Sequence, residues 1–106
     1  MKKNNKIQLK KILKNKVILI TGGAGSIGSS LTKTLLNYPV KSIRVFDNNE
    51  HALFKLSHSL DDSRVQPLLG DILNKDRVEL AVLDTDIIIH TAALKNIEIT
   101  EYNPIE

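Results

Sequence analysis

The chain has 106 residues, of which 42% are hydrophobic and 25% are charged, with a formal net charge of +3 and no cysteine. A chain of this length buries roughly 65% of its unfolded surface, which supports one hydrophobic core but not two, and its apolar content is too high for a disordered chain. The lack of cysteine excludes a disulfide framework, thiolate nucleophiles and cysteine-ligated metal sites, and we assign no residue to a metal.

The positive charge is concentrated in a basic leader, residues 1–16. The leader holds seven lysines and no acid, whereas the remaining 90 residues hold eight basic and twelve acidic residues, a balance of −4. It is either a short amphipathic helix that uses Ile7, Ile12 and Leu13 or a frayed, solvated lead-in, and the functional alternatives are attraction to a membrane surface, to nucleic acid or to a partner. Nucleic acid is disfavoured because no aromatic residues interleave with the lysines.

The longest stretch without charge, residues 17–32, contains four glycines and is shorter than the roughly 20 apolar residues that cross a bilayer. The apolar run 17–20 is also too short for the core of a signal peptide. We therefore expect a cytoplasmic protein without a transmembrane segment.

Beyond the leader, short apolar strands alternate with segments whose apolar residues lie on one helical face. The predicted elements in chain order are a strand at 17–20, a helix at 26–37, a strand at 42–47, a helix at 50–60, a strand at 65–69 with Pro67 at an edge or irregular position, a helix at 74–83, a strand at 86–90 and a further helix from Ile97. Such alternation predicts right-handed crossovers and a parallel sheet. The expected fold class is α/β, a partial Rossmann-type doubly wound sheet of about four strands in the order 3-2-1-4.

The turn after the first predicted strand is rich in glycine. Gly22, Gly25 and Gly28 stand three residues apart, between a strand and a helix. Gly22 lets the chain turn sharply, Gly25 lets backbone approach a pyrophosphate, and Gly28 lets the helix pack close to the sheet. The amides of residues 25 to 28, which include Ser26 and Ile27, then face the phosphates. A merely structural turn is the alternative, and a P-loop is disfavoured because no Gly-Lys-Ser/Thr follows.

Two carboxylates follow the next strands. Asp47 ends the second strand, nineteen residues after Gly28. A carboxylate there accepts hydrogen bonds from ribose hydroxyls and repels a 2′-phosphate, which favours NAD over NADP, and capping of the next helix is the alternative. Asp71 and Ile72 follow the third strand, where the adenine edge and ring would lie, and a plain N-cap is the alternative for Asp71.

The motifs TGGAGSIG, VFDNNE, LGDI and HTAALKNIEITEYNP, in this order and spacing, resemble the extended short-chain dehydrogenase/reductase family. The last of them resembles the polysaccharide-biosynthesis branch, which includes the UDP-N-acetylglucosamine 4,6-dehydratases. The resemblance covers residues 17–106 and implies that this segment is the N-terminal part of an NAD(P)-binding domain.

The resemblance also implies roles for individual residues. Pyrophosphate would be held by Gly22, Gly25, Ser26, Ile27 and Gly28, ribose by Asp47, and adenine by Asp71 and Ile72. Ala92 and Ala93 would pass the nicotinamide side of the cofactor, and Lys95 would point towards a UDP-sugar, a solvated loop lysine being the alternative. His90 is interpreted as a packed strand-end histidine rather than a catalyst.

The implied activity is nucleotide-sugar 4,6-dehydration, a lyase reaction in which the cofactor takes a hydride from the sugar C4 and returns it at C6 after water leaves across C5 and C6. The alternatives are a sugar-nucleotide epimerase or reductase, and a non-catalytic dinucleotide-binding module. Because the resemblance places the acid and base residues beyond the equivalent of residue 106, the chain alone is expected to be inactive. The full-length enzyme is expected to be a homo-oligomer, without nucleic acid as a partner.

Overall fold

The computed structural model describes the backbone of residues 3–91 and 97–101 and the side chains of residues 5–91. Helices and strands alternate along most of this length. The elements in chain order are α1 (Lys3–Leu13), β1 (Val17–Thr21), α2 (Ser26–Leu35), β2 (Ser42–Asp47), α3 (Glu50–Leu60), β3 (Val65–Leu69), α4 (Lys75–Val82), β4 (Ile87–Thr91) and β5 (Ile97–Glu101). All predicted strands and helices up to residue 91 are present, and α2 ends two residues earlier than predicted.

The strands form one sheet in the order β3-β2-β1-β4-β5. The neighbours β3 and β2, β2 and β1, and β1 and β4 are parallel, so the predicted order 3-2-1-4 is confirmed. Pro67 lies in the edge strand β3. Because no strand pairs with the outer side of β3, a residue without an amide hydrogen is tolerated there.

The prediction of a helix from Ile97 is wrong. Residues 97–101 form β5, which pairs antiparallel with β4 and places Ile97 opposite Thr91. The segment reads Ile-Glu-Ile-Thr-Glu, in which apolar and polar residues alternate with the period of a strand and three of the five are β-branched. This local pattern agrees with the strand rather than with a helix.

Helices cover both faces of the sheet. On one face α2, α3 and the end of α1 pack over a core that includes Ile18, Ile20 and Ile43, all fully buried. On the other face α4 packs over a smaller cluster around Leu19 and Phe46. Because β1 lies at the centre of the sheet, its side chains are buried on both faces, as a continuous apolar run predicts.

The basic leader contains α1, so residues 3–13 are helical rather than frayed. Of the three apolar residues expected to anchor it, Leu13 is buried in the core, whereas Ile7 and Ile12 are exposed. The carbonyl oxygen of Lys16 accepts a hydrogen bond from Lys41 N–H, which ties the end of the leader to the start of β2. Among the described residues, no helix combines the length and apolar character needed to cross a lipid bilayer.

Arg64, directly before β3, stabilises the carboxyl end of α2. Its guanidinium donates to the carbonyl oxygens of Leu36 (2.8 Å) and Tyr38 (2.9 Å), just after the helix. It also pairs with the Asp62 carboxylate at 2.9 Å. The side-chain hydrogen bond from Arg64 is the main cause that holds the pKa of Asp62 below its ordinary value of 3.8.

We expect Asp62→Asn to lower the melting temperature slightly at neutral pH and to have no effect in strong acid. A lowered pKa in the folded state means that the ionised carboxylate favours folding. Its contribution is therefore present above the unfolded pKa and is lost as the pH falls through the folded pKa. Circular-dichroism melting of both proteins from about pH 7 to about pH 2 measures the difference. A difference that stays constant over this range would contradict the prediction.

Candidate functional site

A cleft of about 620 Å³ opens at the edge of the sheet where the parallel strands end. Its lining residues are Thr21, Gly22, Gly25, Ser26, Ile27, Gly28, Phe46, Asp47, Asn48, Gly70, Asp71, Ile72, His90 and Thr91. The cleft thus brings together all eight predicted site residues between 22 and 72. The other three, Ala92, Ala93 and Lys95, lie outside the described residues.

The glycine turn, residues 22–25, is held by the neighbouring strands. Phe46, in β2, accepts hydrogen bonds on its carbonyl oxygen from Gly22 N–H (2.8 Å) and Gly23 N–H (3.2 Å). Gly22 has φ +67°, and a Cβ there would meet the carbonyl oxygen of Thr91 in β4. Both its backbone conformation and its neighbours therefore require glycine at this position.

Gly28 and Gly23 pack against each other at the start of α2. A Cβ on Gly28 would lie 2.5 Å from Gly23 Cα and 2.6 Å from the Gly22 carbonyl oxygen. Gly28 therefore brings the helix close to the glycine turn itself, rather than directly to the sheet as expected. Gly23, which the sequence pattern did not single out, is required because a Cβ there would lie 2.5 Å from Val45 Cγ1.

Gly25 differs from these three glycines. Its φ is −71°, and a Cβ added there would have one neighbouring atom, the Gly22 carbonyl oxygen at 3.3 Å. The residue is exposed at the cleft. Within the described residues, internal packing therefore does not require glycine here, and the open side of Gly25 faces space that a ligand can occupy.

The N-terminus of α2 is uncapped by side chains. Gly25 is the N-cap, and its own amide donates to the Gly22 carbonyl oxygen (3.1 Å). The amides of Ser26, Ile27 and Gly28 have no protein acceptor among the described residues. Three free amides, rather than the expected four, therefore remain at the positive end of this helix.

The helices α3 and α4 begin differently, each with an asparagine cap. Asn49 accepts a hydrogen bond from Ala52 N–H, and Asn74 accepts one from Arg77 N–H. The alternatives in which Asp47 and Asp71 cap these helices are therefore wrong. The carboxylates of Asp47 and Asp71 instead accept hydrogen bonds from amides in the turns that line the cleft.

Asp47 joins two turns at the cleft. Its Oδ2 accepts a hydrogen bond from Ala24 N–H in the glycine turn, and its Oδ1 accepts one from Asn49 N–H, each at 3.0 Å. Its backbone carbonyl oxygen also accepts from Gly70 N–H (3.0 Å), in the turn after β3. Each carboxylate oxygen retains a lone pair, so Asp47 can still accept hydrogen bonds from a ligand.

The turn after β3 forms the opposite side of the cleft. Asp71 Oδ1 accepts a hydrogen bond from Leu73 N–H (2.9 Å), and the side chain of Ile72 is 51% exposed. A Cβ on Gly70 would lie 2.7 Å from Phe46 Cζ, so this turn can lie on the Phe46 ring only because residue 70 is glycine. The sequence pattern singled out neither Gly70 nor Phe46.

His90 and Thr91 line the cleft from β4. His90 Nδ1 lies 2.8 Å from Thr21 Oγ1, and the imidazole is partly buried. The Thr91 hydroxyl donates to the carbonyl oxygens of Thr21 (2.7 Å) and Gly22 (3.0 Å), across to the end of β1. These contacts fix the strand ends from which the glycine turn departs.

The lining of the cleft carries two carboxylates and no lysine or arginine among the described residues. Favourable contacts for an anion therefore come from backbone amides and the helix terminus rather than from cationic side chains.

Comparison with known proteins identifies the family. The model of the family described as "Polysaccharide biosynthesis protein" matches residues 18–106. The chain belongs to this family. A protein of Methanocaldococcus jannaschii described as an uncharacterized membrane protein is 48% identical over 88% of this chain and 28% of the relative.

A second relative has a named activity. The UDP-N-acetylglucosamine 4,6-dehydratase (inverting) of Campylobacter jejuni is 40% identical over 86% of this chain and 28% of the relative. Among solved structures, the dTDP-glucose 4,6-dehydratase of Bacillus anthracis in complex with NAD matches with a TM-score of 0.64 and 30% identity, over 74% of this chain and 27% of that chain. The fold is Rossmann-like and matches that of short-chain dehydrogenases/reductases. The chain spans 28% of the length of the two relatives.

Proposed function

We propose that the cleft binds a nicotinamide dinucleotide, NAD. The observation that carries the proposal is the start of α2, where three amides without acceptors among the described residues and the open side of Gly25 line one cleft. A diphosphate group supplies the acceptors that these amides lack, and the positive end of the helix favours its charge. The residues present therefore fit the cofactor.

The proposed contacts follow the order of the cleft. Ser26, Ile27 and Gly28 would donate their amides to the pyrophosphate, with Gly22 and Gly25 shaping the approach. The free lone pairs of Asp47 would accept hydrogen bonds from the ribose adjoining adenine. Asp71 and Ile72 would border the adenine, while Ala92 and Ala93 would pass the nicotinamide and Lys95 would meet the substrate.

NAD is expected to bind at least about tenfold more tightly than NADP, since the 2′-phosphate of NADP would face the Asp47 carboxylate in a cleft whose described lining has no basic side chain. Isothermal titration calorimetry of the chain with each dinucleotide measures the ratio. Tighter binding of NADP than of NAD would show that Asp47 does not contact the ribose. If neither dinucleotide bound, the cofactor proposal would be refuted.

For the whole protein we propose a UDP-N-acetylglucosamine 4,6-dehydratase type of activity. The 40% identity to the Campylobacter jejuni dehydratase supports this choice. When bound, NAD supplies a reversible hydride acceptor, while the residues described above hold and orient it.

Mass spectrometry of a full-length protein that contains this segment distinguishes the activities. Incubation with UDP-N-acetylglucosamine is expected to yield a product lighter by one water. A product of unchanged mass but altered sugar stereochemistry would indicate an epimerase, and lack of turnover in a protein that binds NAD would indicate a non-catalytic module.

A further inference from the structure

The outer face of α1 carries an isoleucine among lysines. Ile7 is 47% exposed, and Lys10, Lys11 and Lys14 follow it at spacings of three, four and seven residues. α1 ends at Leu13, so Ile7, Lys10 and Lys11 lie along one side of the helix and Lys14 follows in the turn directly after it. We define these four residues as the lysine face of α1, and all four are exposed.

The lysines of this face have no acidic partner among the side chains that the structure describes. The ion pairs among the described side chains join Arg64 to Asp62 and Lys75 to Glu79, and neither involves α1. Residues 1–16 as a whole carry seven lysines and no acid, while the rest of the chain has a balance of −4. The sequence is therefore polarised, with its net positive charge confined to residues 1–16.

The carboxyl end of α1 is attached to the body of the protein. Leu13 is buried in the core, and Asn15 N–H donates to the Pro39 carbonyl oxygen (2.9 Å). Since the carboxyl end of α1 leads into the amino end of β1, this end of the helix lies at the edge of the sheet opposite the cleft. The five residues of β1 separate this edge from the cleft by about 16 Å.

We propose that the lysine face of α1 binds an anionic lipid surface. The ammonium groups would contact lipid phosphates, and Ile7, at the amino-terminal end of the face, would enter the boundary between headgroups and acyl chains. Nucleic acid is negatively charged, as an anionic lipid surface is, but its phosphates offer no apolar environment for the exposed isoleucine among the lysines. The leader also contains neither arginine nor an aromatic residue, the side chains that read or stack on bases. This proposal is independent of the cofactor site.

Co-sedimentation of the 106-residue chain with vesicles tests the proposal. We expect binding to vesicles of phosphatidylglycerol and phosphatidylcholine, weak binding to pure phosphatidylcholine, and release when salt is raised from about 0.1 M to about 0.5 M. Lys10→Glu with Lys11→Glu should lower the partition coefficient at least about tenfold, and Ile7→Asn about fivefold.

The matched control is Lys33→Glu with Lys55→Glu, which makes the same change in net charge at exposed positions of α2 and α3. It should retain most of the binding, and circular dichroism establishes that each variant is folded. Equal loss in this control would overturn the proposal, because net charge alone would then explain binding. Binding to neutral vesicles that is as strong as binding to anionic vesicles would also overturn it. So would an Ile7→Asn variant that matches the original chain in binding both to anionic vesicles and to a single-stranded oligonucleotide.

Discussion

Gly25→Val is expected to lower the affinity of the chain for NAD at least about a hundredfold while leaving the fold intact. The new side chain would stand in the open space beside the free amides of α2, where the diphosphate is proposed to lie. Hydrogen bonds to charged groups contribute roughly 1.5–3 kcal/mol each, so the loss of two amide contacts accounts for the expected change. Calorimetry with NAD measures the affinity, and thermal melting measures the fold.

Two further variants separate binding from folding. Ser30→Val adds the same side chain at an exposed position of α2 that does not line the cleft, and it should bind NAD normally. Gly22→Ala should destabilise the protein, because residue 22 has φ +67° and its Cβ would meet the Thr91 carbonyl oxygen. If the Gly25 variant binds NAD with unchanged affinity, the diphosphate does not lie at this turn.

Periodicity and turn chemistry carry much of the fold. The apolar runs and helical spacings up to residue 91 predict four strands and three helices in the right order, since these signals are local and strong. The segment from Ile97 also carries a local signal for a strand, because apolar and polar residues alternate in Ile-Glu-Ile-Thr-Glu. Asn49 and Asn74 also stand directly before helices and could have been recognised as N-caps.

Other features of the site depend on tertiary contacts that no local pattern encodes. Gly70 must be glycine because the Phe46 ring lies beneath it, and this contact exists only because β2 and β3 pair in one register. Gly23 is required by Val45 for the corresponding reason, across the pair β1 and β2. The sequence indicates a turn in both cases, but not the side chain that the turn must accommodate.

Asp47 shows how a predicted residue acquires a second role. Sequence spacing indicates a ribose ligand, whereas the structure also places Oδ2 on the Ala24 amide, within the glycine turn. One carboxylate can therefore accept from the ribose and hold the turn that precedes the free amides of α2. The two roles are separable, because a nucleotide without ribose hydroxyls still needs the turn.

ADP carries the adenine, ribose and diphosphate that form one half of NAD. Asp47→Asn is expected to weaken the binding of ADP about a hundredfold and that of 2′,3′-dideoxy-ADP about tenfold. Asparagine keeps an acceptor for only one of the two amides, Ala24 N–H and Asn49 N–H, and turns its NH₂ group towards the other. If Asp47 met only the ribose, removal of its negative charge would leave dideoxy-ADP binding unchanged or stronger. Asp76→Asn makes the same charge change at an exposed position of α4 that does not line the cleft, and it should not weaken dideoxy-ADP binding. Calorimetry of both variants with both nucleotides decides between a carboxylate that only meets the ribose and one that also maintains the phosphate-binding turn.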